Sequence, residues 1–275
     1  MEHFDLECVT SIEPHNNKQL EGFYKSDENV YCSQCEPEGF RRVTFFADRP
    51  DIQSLYSTRI EADKSRFPVL LSNGNLVDSG NVDGERHFAI WQDPWRKPSY
   101  LFAIVACKLP FLEDFYFTKS GKKVTLRIFT EPENVDKVVH AMESLKRAMQ
   151  FDEEVYGLEY DLQIMQIVAV NSFSMGAMEN KSLNIFNSRY VIASPQIATD
   201  RIFRYVERIV GHESVHLIQF LTGLIYSYFL IWKVFSQLYR KQSYSKGLVP
   251  TLSERGTHCI QRAALLRDCQ LSYRY

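Results

Sequence analysis

Five consecutive residues carry the densest chemistry in the chain: His212, Glu213, Ser214, Val215 and His216 form the pattern HExxH. On a helix, residues four apart lie one turn apart on nearly the same face, so both imidazoles reach a single Zn²⁺. Glu213 then stands beside the metal, placed to take a proton from zinc-bound water and hand it to a departing amine. Coincidence produces HExxH in on the order of one chain in a hundred at this histidine frequency. Context must therefore carry the rest, because two histidines on a polar surface would be nothing more than that.

The context is helical. Thr199 and Asp200 supply helix-starting side chains, and Ile202, Phe203, Val206, Ile209, Val210 and Val215 recur as one apolar face. Upstream, Gly176-Ala177-Met178-Glu179-Asn180 sits in the turn SFSMGAMEN between two β-rich runs, Tyr160 to Val170 and LNIFNSRYVIAS, which are expected to pair across that turn. A carboxylate fixed near a zinc ion is what an exopeptidase needs, since it binds a free ammonium group and limits the cut to one residue. Read from the turn alone, Glu179 is equally a solvated carboxylate.

GAMEN followed by HExxH resembles the paired signature of the aminopeptidase N family of thermolysin-like zinc metallopeptidases. The resemblance runs from about Cys8 to His216, through DEEVYGLEYDL, IVAV, MGAMENKSLNIFNSRYV and ATD, and looks closest to the bacterial and protozoan branch. It implies that His212 and His216 bind one Zn²⁺ per chain, that Glu213 is the catalytic base and that Glu179 binds the substrate amine. It further implies that Gln34 and Glu36, in CSQCEPEGFRRVTFFADRPD, reach the same cleft, Glu36 as a second carboxylate for the amine. Gly176 and Ala177 leave backbone open for an extended peptide, and Met175 offers an apolar surface to its first side chain. The implied substrates are peptides with a free N-terminus. An epoxide-opening branch of the same fold carries Gly where this chain has Ala177, which favours the peptidase.

The elements that must hold these residues divide the chain. From Val30 to Cys107, short β-rich runs alternate with turn signals such as Asn73-Gly74-Asn75, the pattern of an all-β domain. KKVTLRIF then leads into ENVDKVVHAMESLKRAMQ, where Val135, Val138, Val139, Met142, Leu145 and Met149 fall at helical spacing. The expected fold class is α+β in two domains: an antiparallel β-sandwich or saddle over 1–108, then an incomplete thermolysin-like mixed α/β domain over 109–216.

Composition narrows the partners. With 45% hydrophobic and 24% charged residues in 275, the chain is globular. Its 32 basic and 34 acidic residues are intermixed to a net charge of -2, which leaves no positive field for nucleic acid. An acidic N-terminus without a signal-peptide pattern points to the cytoplasm. Cys32 and Cys35 have the spacing of half a zinc knuckle or a redox turn, but no second pair follows, so scattered reduced thiols are expected.

After His216 the pattern changes. The family places a third zinc ligand, a glutamate, where this chain has Phe235, and the single later glutamate, Glu254, is too far along. Two protein ligands underfill a catalytic zinc, so a catalytically inactive form is the alternative reading. The segment 217–275 is expected to be an aberrant tail produced by a frameshift, a retained intron or alternative splicing. Leu217 to Trp232 is nearly all apolar, yet short for a membrane span and continuous with the metal helix, so membrane association is not expected.

Overall fold

The structure is a computed structural model that describes residues 6–221, 257–258, 264–266 and 270–274, with side chains described through Ser214. Phe235, Glu254, residues 222–232 of the apolar run and the His216 side chain lie outside the described residues. No helix among the described residues is long and apolar enough to cross a membrane.

The N-terminal part is a β-sandwich. After the short β1 (Glu7–Cys8) come β2 (Gly22–Asp27), β3 (Val30–Gln34), β4 (Gln53–Asp63), β5 (Val69–Ser72), β6 (Asn75–Asn81), β7 (Arg86–Pro98) and β8 (Ile104–Cys107). One antiparallel layer runs β2-β3-β8-β5, and the other pairs β4 with β7 and β7 with β6. Strict alternation along β4 buries Tyr56, Ile60 and Ala62 while the intervening side chains reach the surface. Strands β3 and β8 are buried at every position, because they have a second layer on one side and the rest of the molecule on the other. The Trp91 indole N–H donates to the Leu70 carbonyl at 2.9 Å and ties the layers together. In the 217–275 segment, β14 (Thr257–His258) pairs in parallel with β4, and β15 (Ala264–Leu266) pairs with β16 (Gln270–Arg274), which also pairs with β1.

Beyond β8 a mixed sheet is built from β9 (Phe111–Phe117), β10 (Lys123–Phe129), β11 (Ile164–Val170), β12 (Ala177–Met178) and β13 (Leu183–Asn187), in the order β12-β13-β11-β10-β9. Helix α1 (Val139–Tyr156) crosses between the parallel strands β10 and β11 and stops at Gly157, whose φ of 67° closes the last turn in the left-handed region. Helix α2 (Asp200–Leu221) follows β13. The sheet is apolar on both faces, and each face has its own cover. Val124, Leu126, Ile128, Met165, Ile167 and Phe186 join α1 and α2 in one core. Phe129, Val168, Val170, Leu183 and Ile185 join the sandwich in the other.

One expectation about this sheet holds and two need correction. The two β-rich runs expected to pair do so, as parallel strands β11 and β13 with Gln166 opposite Leu183, and the two-residue β12 inside the turn is the antiparallel partner of β13. The expected second run does not stay extended, since a 3-10 turn at Ser188–Tyr190 ends it after Asn187. Residues 132–137, including Val135, form a 3-10 turn before α1 starts at Val139, itself half exposed.

Candidate active site

The elements bring three glutamates from distant parts of the sequence into one electrostatic environment. Glu213 projects from α2 and is 5% exposed. Burial pushes its carboxyl up to about 8, reinforced by the negative charges of Glu179 and Glu36. Glu179, from the segment joining β11 and β13, is itself held above the usual carboxylate range by burial. Glu36, just after β3 in the sandwich and more exposed, is raised by partial burial and by Glu179. Like charges that push up one another's carboxyls are costly unless a cation sits among them. The cluster therefore favours a positively charged guest.

The other candidates differ in their settings. Gln34, at the end of β3, is 2% exposed, and neither its side-chain oxygen nor its nitrogen has a hydrogen-bond partner. An amide left this way is an open recognition group. Ala177 lies on β12, the outer strand of the mixed sheet, with Gly176 just before it. Asn187 N–H donates to the Gly176 carbonyl at 3.0 Å. Met175 is 51% exposed, as a side chain offered to a substrate would be. His212 is half-buried on α2, and His216 follows one turn later on the same continuous helix. Among the described residues no group of three His, Cys, Asp or Glu side chains is arranged to hold a metal ion. Positions 212 and 216, four apart on an unbroken helix, have the spacing of two ligands of one zinc ion.

The thiols have another role. Cys32, Cys35 and Cys107 are free and buried, and burial raises all three, Cys32 and Cys107 to about 12. They pack as protonated apolar side chains in the core of the sandwich.

Residues missed in the sequence support the site from behind. Asp152 on α1 is fully buried and lies 3.5 Å from the Ser214 hydroxyl, which donates to it from within HESVH. The signal was present: Met142, Leu145, Met149 and Asp152 share one helical face, so a carboxylate falls where an apolar residue is expected. Lys181, directly after Asn180, is 2% exposed and forms ion pairs with Asp161 at 3.2 Å and Asp93 at 3.9 Å. No periodicity announced it.

Comparison with known proteins places the chain among peptidases. The Peptidase M1 N-terminal domain pattern matches residues 3–101, and that of the Peptidase family M1 domain matches residues 140–218. The chain is 54% identical over 213 residues to aminopeptidase N of Caulobacter vibrioides, covering 78% of this chain and 24% of that protein. It is 50% identical over 215 residues to aminopeptidase N of Escherichia coli, covering 78% and 25%. A crystal structure of Legionella pneumophila aminopeptidase A in complex with aspartic acid superposes with a TM-score of 0.70 at 38% identity, covering 73% of this chain and 23% of that one. The chain thus spans about a quarter of the length of the curated relatives it matches. With both M1 patterns in order and together covering well over half of its residues, the chain belongs to the M1 family of peptidases.

Proposed function

We propose that the chain forms the water-activating and amine-binding part of a zinc aminopeptidase site, acting on peptides with a free N-terminus. The observation that carries the reading is the meeting of Glu213, Glu179 and Glu36 from a helix, a crossover segment and the sandwich. Glu179 and Glu36 receive the substrate ammonium, and the charge they supply is balanced by the guest they bind. The orphaned amide of Gln34 meets a polar group of the first residue, and the outer side of β12 accepts the peptide backbone. His212 and His216 would hold one zinc ion, with the remaining ligands from outside the described residues. A zinc ion held there would supply Lewis-acid chemistry, acidifying water and polarising a carbonyl. Glu213, beside the metal position on α2, takes the proton and returns it to the leaving amine.

The test is the zinc content of the purified chain together with hydrolysis of alanyl and leucyl aminoacyl amides. Stoichiometric zinc, with turnover abolished in Glu213→Gln, is the expected result. Absent zinc and no turnover would sink the reading in favour of an inactive form, the alternative supported by Phe235 at the expected third-ligand position. Equal cleavage of free and N-acetylated peptides would instead point to an endopeptidase.

A further inference from the structure

We propose that Lys181 is a positioning residue: buried between the two domains, it clamps the segment carrying Glu179 onto the N-terminal sandwich and so fixes where the amine-binding carboxylate stands. The proposal rests on the amine-binding reading of Glu179.

Lys181 is two residues from Glu179 and reaches the sandwich three ways. Its ammonium lies 3.9 Å from Asp93 of β7, and Asp93 is also paired with the buried Lys97 at 3.1 Å. Its side chain also stands over the Trp95 ring, 5.5 Å from the centroid. Its backbone carbonyl accepts the Asn73 side-chain amide at 2.8 Å, and Asn73 in turn donates to the Leu101 carbonyl and accepts from Ala103 N–H. The next residue repeats the contact: Gly74 N–H donates to the Ser182 hydroxyl at 2.6 Å, and Ser182 takes the unusual φ of 62°.

The other end of the same segment is tied to the same domain. The Ser172 carbonyl accepts from the Tyr24 hydroxyl at 3.1 Å and the Ser26 hydroxyl at 2.9 Å. Glu179 therefore sits on a strap pinned at both ends to the sandwich that also carries Glu36. Two carboxylates grip one ammonium only when their spacing is fixed, and here one framework fixes both. Of these ties, the Lys181 ammonium is the one whose loss leaves a half-buried charge behind, because Asp161 then has no ion-pair partner among the described residues.

The test compares the full chain with Lys181→Met and with Lys181→Met/Asp161→Asn, the second removing both charges so that the variant folds without an unpaired carboxylate. Hydrogen exchange at the amides of residues 174–180 reads the clamp, and steady-state hydrolysis of leucinamide reads the carboxylate. In the folded double variant, exchange at 174–180 should accelerate at least tenfold while β4 and β7 exchange as before. KM should rise at least tenfold with kcat within threefold. Unchanged exchange at 174–180, or an equal acceleration across the whole sandwich, overturns the proposal. If the unaltered chain turns nothing over, the exchange result still decides the clamp, and the peptidase reading fails separately.

Discussion

Asp152 offers a quantitative check on how the metal helix is held. Its carboxyl is fully buried between α1 and α2, and burial raises it from the ordinary 3.8 to about 7, with the Ser214 hydroxyl opposing and Glu153 adding to the rise. The folded chain thus keeps a proton that the unfolded chain releases. Stability should fall as pH rises from about 4 to about 7 and level off above, since only the folded form is protonated in that window. A shift of about three units corresponds to on the order of 4 kcal/mol. Asp152→Asn keeps an acceptor for Ser214 and cannot ionise, so it should match the parent chain near pH 4 and exceed it near pH 8 by that amount. Urea unfolding of both chains at pH 4, 5, 6, 7 and 8 measures the difference directly. Glu213 also titrates in this range but is common to both, so it cancels. Parallel stability curves, or a variant weaker than the parent at pH 8, would refute the argument that the carboxyl is held neutral by burial.

Two further outcomes are expected. Glu179→Gln removes the more buried of the two amine-binding carboxylates, and a charged hydrogen bond contributes about 1.5–3 kcal/mol, so KM for leucinamide should rise about tenfold to a hundredfold; an unchanged KM would remove Glu179 from the role. Gly74→Ala places a Cβ 2.1 Å from the Gln92 carbonyl oxygen at a φ of +92°, so urea unfolding should show a loss of about 2 kcal/mol or more; a neutral result would mean that the turn relaxes without cost.

Much of this was legible in the sequence because apolar periodicity reports burial. The spacing of Val206 and Val210 predicts the inner face of α2, and both are buried there. Ile202, assigned to the same face, is 38% exposed, because the helix has just begun and its first turn overhangs the core. The pairing of β11 with β13 was legible but its direction was not, for a physical reason: a turn between two β-rich runs looks the same whether the chain reverses or crosses over, and only packing of both sheet faces decides. GAMEN and HExxH are local motifs and could be read. The ionic clamp of Lys181 joins residues 88 positions apart in the case of Asp93, and the tie of Asp152 to Ser214 spans 62. Such pairings depend on tertiary geometry that no local pattern encodes.

The mixed sheet lends one face to the helices and the other to the sandwich, and the second face is as apolar as the first. Separated from the sandwich, this part of the chain would carry a bare hydrophobic surface and a Lys181 without Asp93, so the residues after β8 are expected to lose solubility when expressed without those before it.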